Sequence, residues 1–297
     1  MRVAITGSTG LVGRALAQRL TDRGDEVARI VRGGREAAGV DWAPAEGWVR
    51  EGAFDGCEAV VHLGGASIGE GRWAAKRKAE LRSSRIESTR VLVAHLASLE
   101  PRPRRLVVAS AVGYYGDRGD ESLSEASAKG TGFLPDLVAD WEAEAEKATA
   151  AGIPTAMIRS GVVFAKEASA FRRLVLPFRL GAGGRLGNGR QWMPWVTLED
   201  AVPAIEHLLD GDLTGPVNVV APGAITNRDL TKALGRTLRR PAFMMVPRFA
   251  MQLAMGEAAG ELLFASQRVA PERLMAEGFE FVHPEVEGAL HALLRDS

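Results

Sequence analysis

A glycine-rich segment near the start of the chain, TGSTGLVG at positions 6–13, constrains the possible folds most strongly. It follows RVAIT (2–6), which reads as a short buried strand, and it opens LVGRALAQRLTDR (11–23), whose apolar residues recur at helical spacing. Three glycines connect the two elements, namely Gly7, Gly10 and Gly13. A strand, a glycine-rich turn and a helix in this order is the context of a dinucleotide-binding fingerprint.

Each of the three glycines has an expected role in such a turn. Gly7 would permit the tight turn, Gly10 the close approach of a pyrophosphate, and Gly13 the contact between helix and strand. The helix N-terminus would add free N–H groups and a partial positive charge. We therefore expect a bound dinucleotide here rather than a glycine-rich turn without a ligand.

The alternation of strands and helices continues through the first half of the chain. Further strands are predicted at 26–31, 58–63, 105–110 and within 153–164, and the longest helices between them at 76–99 and 135–151. Strict alternation predicts a parallel sheet covered on both faces. The expected fold is therefore α/β, a Rossmann-type doubly wound parallel sheet.

The pattern loosens after about residue 165, which predicts a small, mainly helical C-terminal lobe packed against the sheet. We expect a glycine-rich loop at 181–190, a helix at 198–210, a strand at 217–221, a helix at 226–239 and further helices in the last fifty residues. The predicted domains are a nucleotide-binding domain over 1–221, in which 165–221 contributes to the substrate-side lobe, and a small helical domain over 222–297.

Composition restricts the classes of partner. Lys+Arg and Asp+Glu are both 37, so no net field favours nucleic acid or an acidic membrane. The single cysteine, Cys57, excludes internal disulfides, and the five histidines show no metal-ligand spacing, so we expect no metal. The first residues lack the pattern of a signal peptide, and no apolar run approaches the ~20 residues of a membrane span. We expect a soluble cytoplasmic protein, a monomer or a homodimer, that acts on a small molecule.

The end of the second predicted strand, ARIVRGGR, indicates which nucleotide is bound. NAD-specific sites place an acidic residue there, which accepts a hydrogen bond from the ribose 2′-hydroxyl. Here Arg32 stands at that position and Arg35 follows. A guanidinium would instead pair with a 2′-phosphate, so NADP is expected over NAD.

The motifs of this chain resemble those of the extended short-chain dehydrogenase/reductase (SDR) superfamily. The resemblance rests on TGSTGLVG, VVHLGGASI (60–68), SAVGYYG (110–116), RSGVVF (159–164) and the segment 176–201. It is closest to a subgroup of NAD(P)-dependent epimerase-like proteins, because ALGRTLRRP (233–241) and SQRVAPERL (266–274) resemble the small domain of unknown function that ends those proteins.

The resemblance implies a set of cofactor contacts. Besides the three glycines, the turn would line the phosphates with Ser8, Thr9, Leu11 and Val12. Arg32 would meet the 2′-phosphate, and His62, Leu63 and Gly64 would pass under the adenosine ribose. Glu80 and Arg85 would reach the cofactor from the next helix, and Val163 would lie near its nicotinamide end.

The Tyr-x-x-x-Lys pair that carries SDR chemistry is absent. The only tyrosines are Tyr114 and Tyr115, and the residues four positions later are Arg118 and Gly119. In that chemistry the lysine lowers the pKa of the tyrosine so that it can exchange protons near neutral pH. Replacement acid–base groups are available nearby, and the candidates are Ser110, Tyr114, Tyr115 and Glu142.

Three interpretations remain open. The protein is an oxidoreductase or isomerase with a rebuilt acid–base site, an NADP(H)-binding sensor or regulator without turnover, or a catalyst of a non-redox reaction on a sugar nucleotide. On the substrate side, Gln191, Trp192 and Trp195 either cover the cofactor cleft or form the apolar seam between the lobes, and we favour the seam. Asp200 is expected to anchor the following helix.

Overall fold

The structure, a computed structural model, describes residues 1–34, 39 and 41–294. Its strands are β1 (Arg2–Thr6), β2 (Glu26–Ile30), β3 (Trp42–Ala43), β4 (Trp48–Val49), β5 (Ala59–His62), β6 (Arg105–Ala111), β7 (Ser122–Leu123), β8 (Thr155–Ser160), β9 (Val162–Phe164), β10 (Gly184–Leu186), β11 (Trp195–Thr197), β12 (Gly215–Val219), β13 (Met244–Val246) and β14 (Arg268–Val269). Its helices are α1 (Leu11–Asp22), α2 (Ala75–Arg82), α3 (Ser88–Ser98), α4 (Phe133–Ala150), α5 (Ser169–Arg179), α6 (Leu198–Asp210), α7 (Asn227–Leu238), α8 (Arg248–Met255), α9 (Glu257–Ala259), α10 (Glu272–Ala276) and α11 (Val286–Leu294).

Six parallel strands form the central sheet, in the order β12-β8-β6-β5-β1-β2. The chain passes from β1 through α1 to β2 on one side, and it then returns to place β5 on the other side of β1. The strand order therefore reverses between β1 and β5. In open α/β sheets, ligands bind outside the carboxyl ends of the strands at such a point.

Both faces of the sheet are covered, as the alternating pattern predicts. In β1, Val3 and Ile5 belong to a core cluster that also contains Leu16 of α1 and Leu208 of α6. Ala4 belongs to a second cluster on the opposite face, together with residues of α3 and α4. Successive strand side chains point to opposite faces, so one strand contributes to both clusters. The predicted doubly wound α/β fold is confirmed.

The C-terminal region packs mainly through helices, and α5, α7 and α11 share a third core cluster. The segment 181–190, expected to be a loop, contains β10, which pairs in parallel with β13. Gly184 makes this pairing possible, since a Cβ there would lie 2.3 Å from the carbonyl oxygen of Met244. The proposed boundary between residues 221 and 222 stays a prediction.

Two carboxylates tie the C-terminal region to the sheet domain. Asp200, in the first turn of α6, accepts hydrogen bonds from the backbone N–H groups of Val282 (2.6 Å) and His283 (3.1 Å). It therefore anchors α6, as expected, by joining the helix to the C-terminal region. Glu261 accepts from the first N–H groups of α4, at 2.9 and 2.7 Å, and so caps that helix from another part of the chain. None of the described helices could cross a membrane.

Candidate cofactor and active site

The glycine turn lies at the point where the strand order reverses. Gly7 has a φ of +71°, and a Cβ there would approach the carbonyl carbon of Leu63 to 2.8 Å and the nitrogen of Gly64 to 2.9 Å. A Cβ on Gly13 would lie 2.3 Å from the carbonyl oxygen of Gly7. Both positions therefore require glycine, and the start of α1 is drawn tightly against the ends of β1 and β5.

The N-terminus of α1 has the properties of an anion site. Gly10 is the N-cap residue, it has no side chain to cap the helix, and the first turn contains no acidic residue. The first N–H groups of the helix are therefore available to a ligand. Of the other predicted contacts, Ser8 is buried, Thr9 is exposed, and Leu11 and Val12 are half-buried. A pyrophosphate fits this turn.

His62 lies beneath the same turn and is fully buried. Its Nδ1 is 2.6 Å from the hydroxyl of Thr6, and its Nε2 is 3.4 Å from the hydroxyl of Ser88. Burial, with a smaller contribution from the positive charge of Arg32, lowers the pKa of His62 from 6.5 to about 4. The imidazole is thus neutral at pH 7 and supports the turn through the ends of β1 and β5.

This buried histidine should make the stability of the protein depend on pH. The unfolded chain binds a proton near pH 6.5 and the folded chain only near pH 4, so stability falls as the pH decreases between these values. We expect His62 to contribute a loss of about 2 kcal/mol between pH 7 and pH 5. Urea unfolding at both pH values measures it, and His62→Gln should remove that part of the loss. An unchanged pH dependence in the variant would contradict the assigned pKa.

Arg32 follows β2 and is exposed beside this site. Its backbone forms an isolated parallel bridge with Trp42, whose ring contacts His62 edge-on at 5.7 Å. Among the described residues, the Arg32 guanidinium forms no ion pair, which leaves it available to a phosphate. Arg35 lies outside the described residues.

Arg85 and Glu80, both expected to reach the cofactor, are in different environments. The Arg85 guanidinium donates to the carbonyl oxygen of Ala66 at 3.0 Å and lies 5.3 Å from the ring of Trp141. Burial, and to a smaller extent the charge of Arg77, lowers the pKa of Arg85 to about 10. Glu80 is exposed and pairs with Arg77 at 2.7 Å. Arg85 thus faces the loop after β5, and Glu80 faces solvent.

The remaining predicted cofactor residues lie at the same carboxyl edge. The N–H of Leu63 donates to the carbonyl oxygen of Thr6 at 3.2 Å, and its side chain packs in the core cluster beneath α1. Gly64 continues this loop and is half-buried. Val163 lies in β9, opposite Val196 of β11, and contacts the same cluster.

A buried ion pair lies at the end of β6, where the sequence predicts the replacement acid–base groups. Glu142 of α4 and Arg159 of β8 form a bidentate pair, with N–O distances of 2.9 and 2.7 Å. Ser110 donates its hydroxyl proton to Glu142 at 2.5 Å. Burial alone would lower the pKa of Arg159, but the hydrogen bonds and charge of Glu142 outweigh it and hold that pKa above its ordinary value. The serine is therefore oriented by a fixed charge pair.

The two tyrosines contact the same guanidinium in different ways. Arg159 lies 3.5 Å from the ring centre of Tyr114 and donates to the hydroxyl of Tyr115 at 3.1 Å. Tyr115 is fully buried and donates to the side-chain oxygen of Asn218 at 2.7 Å. Burial raises its pKa, against the opposing effect of Arg159. Tyr114 is half-buried, so it is the more accessible of the two tyrosines.

Sequence reasoning missed Arg159 and Asn218. Arg159 interrupts the apolar strand segment TAMIRS, and Asn218 lies in the strand segment GPVNV. Isolated polar residues buried in strands are costly unless they are paired. That signal could have indicated both residues, although only the structure identifies their partners.

The aromatic residues on the substrate side mainly form a seam, as favoured. Trp195 is buried, stacks on Phe164 at 5.4 Å and donates to the carbonyl oxygen of Gly223. Trp192 donates to Asp120 at 2.9 Å. Gln191 is buried and donates to backbone carbonyl oxygens. The polar groups of these three side chains therefore form their hydrogen bonds within the protein.

The sheet, the glycine turn and the buried polar network together define a dinucleotide-binding α/β protein. Residues 3–220 match the family model described as the NAD dependent epimerase/dehydratase family, and residues 246–293 match a domain of unknown function, DUF1731. The chain therefore belongs to the NAD dependent epimerase/dehydratase family. The resemblance to epimerase-like SDR proteins that end in this domain is confirmed.

Relatives match along almost the whole chain. The epimerase family protein ML0860 of Mycobacterium leprae is 41% identical over 292 residues, which cover 97% of this chain and 94% of that protein. The human epimerase family protein SDR39U1 is 33% identical over 299 residues, covering 99% of this chain and all of the human one. A crystal structure of human SDR39U1 (isoform2) with NADPH matches all of both chains with a TM-score of 0.88.

Proposed function

We propose that this protein is an NADP(H)-dependent oxidoreductase that acts on a small carbonyl compound without a Tyr-x-x-x-Lys pair. The observation that carries the proposal is the Ser110 hydroxyl, held by the Glu142–Arg159 pair at the carboxyl end of β6. This end lies at the same edge of the sheet as the glycine turn. The NADPH in the crystal structure of human SDR39U1 supports the choice of cofactor.

The cofactor would be held by groups at this edge. The turn from Gly7 to Gly13 and the N-terminus of α1 would hold the pyrophosphate, with Ser8, Thr9, Leu11 and Val12 around it. Arg32 would bind the 2′-phosphate, and Arg85 would approach from the loop after β5. NADPH supplies a hydride when bound.

The protein itself would orient the substrate and manage the proton. Ser110 directs its proton to Glu142, so its oxygen lone pairs face away from that carboxylate and can accept a hydrogen bond. Tyr114 is half-buried, and its ring lies against the Arg159 guanidinium. We assign Ser110 to substrate positioning and Tyr114 to proton exchange. Tyr115, being buried, would support the network.

One observation favours a second function. The Ser110 hydroxyl donates its hydrogen bond to Glu142, and the Tyr115 hydroxyl is hydrogen-bonded to both Asn218 and Arg159. With both hydroxyls satisfied inside the protein, the network would also suit an NADP(H)-binding regulator without turnover.

Absorbance at 340 nm distinguishes the two functions. The NADPH-loaded protein is mixed with a panel of aldehydes, ketones and sugar nucleotides, and loss of absorbance reports hydride transfer. Turnover of a carbonyl compound is the expected result. Retention of NADPH with every panel member, together with a protein partner whose binding depends on the nucleotide, would contradict the oxidoreductase and favour the regulator.

Arg32 should determine the preference for NADPH over NADH. Arg32→Ala should weaken NADPH by about 10- to 100-fold, because one or two charge-assisted hydrogen bonds to the 2′-phosphate are lost. NADH lacks that phosphate and should be affected little. Fluorescence titration measures both affinities. Arg29→Ala serves as the control, because Arg29 is an exposed residue of β2, the strand that precedes Arg32. Equal losses for both nucleotides in Arg32→Ala would contradict the assignment.

A further inference from the structure

A second cleft, of about 360 Å³, begins three residues after Ser110. Its lining includes Gly113 and Gly116 on the turn that follows β6, Leu134 and Pro135 at the start of α4, and the helix α8. The cleft thus lies between the candidate active site and the C-terminal region. Its volume is within the range of small-molecule sites.

Helix α8 contributes an unusual wall to this cleft. Although the sequence RFAMQLAM is largely apolar, none of its residues is buried. Arg248 and Gln252 are about one helical turn apart and both line the cleft, as does Gly256, which caps the end of the helix, so one face of α8 borders the cleft. Arg72 holds the helix by donating to the carbonyl oxygen of Leu253. The face of α8 that carries Arg248 and Gln252 therefore borders the open cleft, while Met255 at the end of the helix packs against the core.

The acidic residues that line the cleft have partners within the protein. Asp117 accepts from the N–H of Ser266 at 3.1 Å, and Glu257 pairs with Lys78 at 2.5 Å. Glu261 is occupied by its two hydrogen bonds to the start of α4. All three lining carboxylates thus have partners within the protein.

Arg248 is the exception. Its guanidinium lies 5.0 Å from the ring centre of Phe264, and within the described part of the chain it forms no ion pair. Among the described lining residues it is also the sole cationic side chain. The cleft therefore offers one unpaired positive charge in a lining that also contains glycines, Leu134, Pro135 and the three partnered carboxylates.

We propose that this cleft holds the end of the substrate remote from the reacting carbonyl, and that the substrate is a small molecule with an apolar body and one anionic group, a carboxylate, bound by Arg248. A guanidinium and a carboxylate match in charge and in planar geometry. A sugar nucleotide carries a diphosphate, and a single cation does not match that charge. This inference rests on the proposed function, since it names the class of carbonyl compound that the oxidoreductase would use.

The test compares two probes that differ only in charge. 4-Formylbenzoate and 4-formylbenzamide are titrated by calorimetry into the protein saturated with NADP⁺. We expect the carboxylate to bind at least about tenfold more tightly than the amide, as one charge-assisted pair would provide. Arg248→Ala should abolish the difference and Arg248→Lys should retain part of it. Arg240 is an exposed arginine of the same region, and Arg240→Ala should leave the difference in affinity unchanged.

Three results would overturn the inference: equal affinities for the two probes, no binding of either, or UDP-glucose binding more tightly than 4-formylbenzoate. Failure of the proposed function would look different: 4-formylbenzoate would bind as predicted, but the NADPH-loaded protein would not reduce it, as unchanged absorbance at 340 nm would show. A folded Arg248→Ala variant is verified by its unchanged affinity for NADP⁺.

Discussion

Replacing Arg159 with methionine should destabilise the protein by about 3–5 kcal/mol, because it leaves the Glu142 carboxylate buried without its partner. Both side chains are at most 8% exposed, so water cannot replace the lost guanidinium. Arg159 also donates to Tyr115, and that hydrogen bond is lost with it. Urea unfolding of the wild type and Arg159→Met measures the effect.

Two further variants test whether the unpaired charge of Glu142, and not general damage to the core, causes this loss of stability. Arg82→Met removes the arginine of an exposed pair with Asp140, which lies on the same helix as Glu142, and should cost at most about 1 kcal/mol. Glu142→Leu combined with Arg159→Met removes both buried charges and should recover much of the stability. A double variant as unstable as Arg159→Met alone would contradict the assigned charge effect.

The second large effect concerns turnover. Ser110→Ala should lower kcat by about 10²- to 10⁴-fold with the carbonyl compound that the protein reduces fastest, the range expected when an acid–base or positioning group is lost. The ion pair between Glu142 and Arg159 does not depend on the serine. The fold and NADPH binding should therefore persist, and stopped-flow absorbance at 340 nm measures the rate.

The tyrosines provide the comparison. Tyr114→Phe should also lower kcat, because it removes the hydroxyl assigned to proton exchange. Tyr115→Phe should mainly lower stability, since its hydroxyl is buried against Asn218. Wild-type rates in both Ser110→Ala and Tyr114→Phe would contradict the assigned roles.

The parallel sheet could be predicted because its signals are local. The expected strand at 2–6 matches β1, and the expected helix at 198–210 has the bounds of α6. Apolar periodicity and the glycine turn determine such elements without reference to distant residues. Short strands such as β10 and β13 escaped prediction, because a three-residue strand has no periodicity and depends on a partner some sixty residues away.

The candidate active site was predictable only in part. Ser110, Tyr114 and Glu142 were identified from their positions near a known pattern, and the absence of the Tyr-x-x-x-Lys pair follows from counting. The partner of Glu142 was not identified, since Arg159 is seventeen residues away in sequence and on another element. Similarly, nothing in the sequence near α4 indicates that Glu261 caps it. Long-range electrostatic partners depend on the tertiary fold and not on local pattern.

Binding of NADPH to the wild-type protein tests the central claim most directly. Calorimetric titrations of NADPH and NADH into the same preparation should give one site per chain and a clear preference for NADPH. Gly13→Val should bind neither nucleotide, because its side chain would occupy the space against the carbonyl oxygen of Gly7. Equal affinities for the two nucleotides, or no binding of NADPH to the wild type, would contradict an NADP(H) site at the glycine turn.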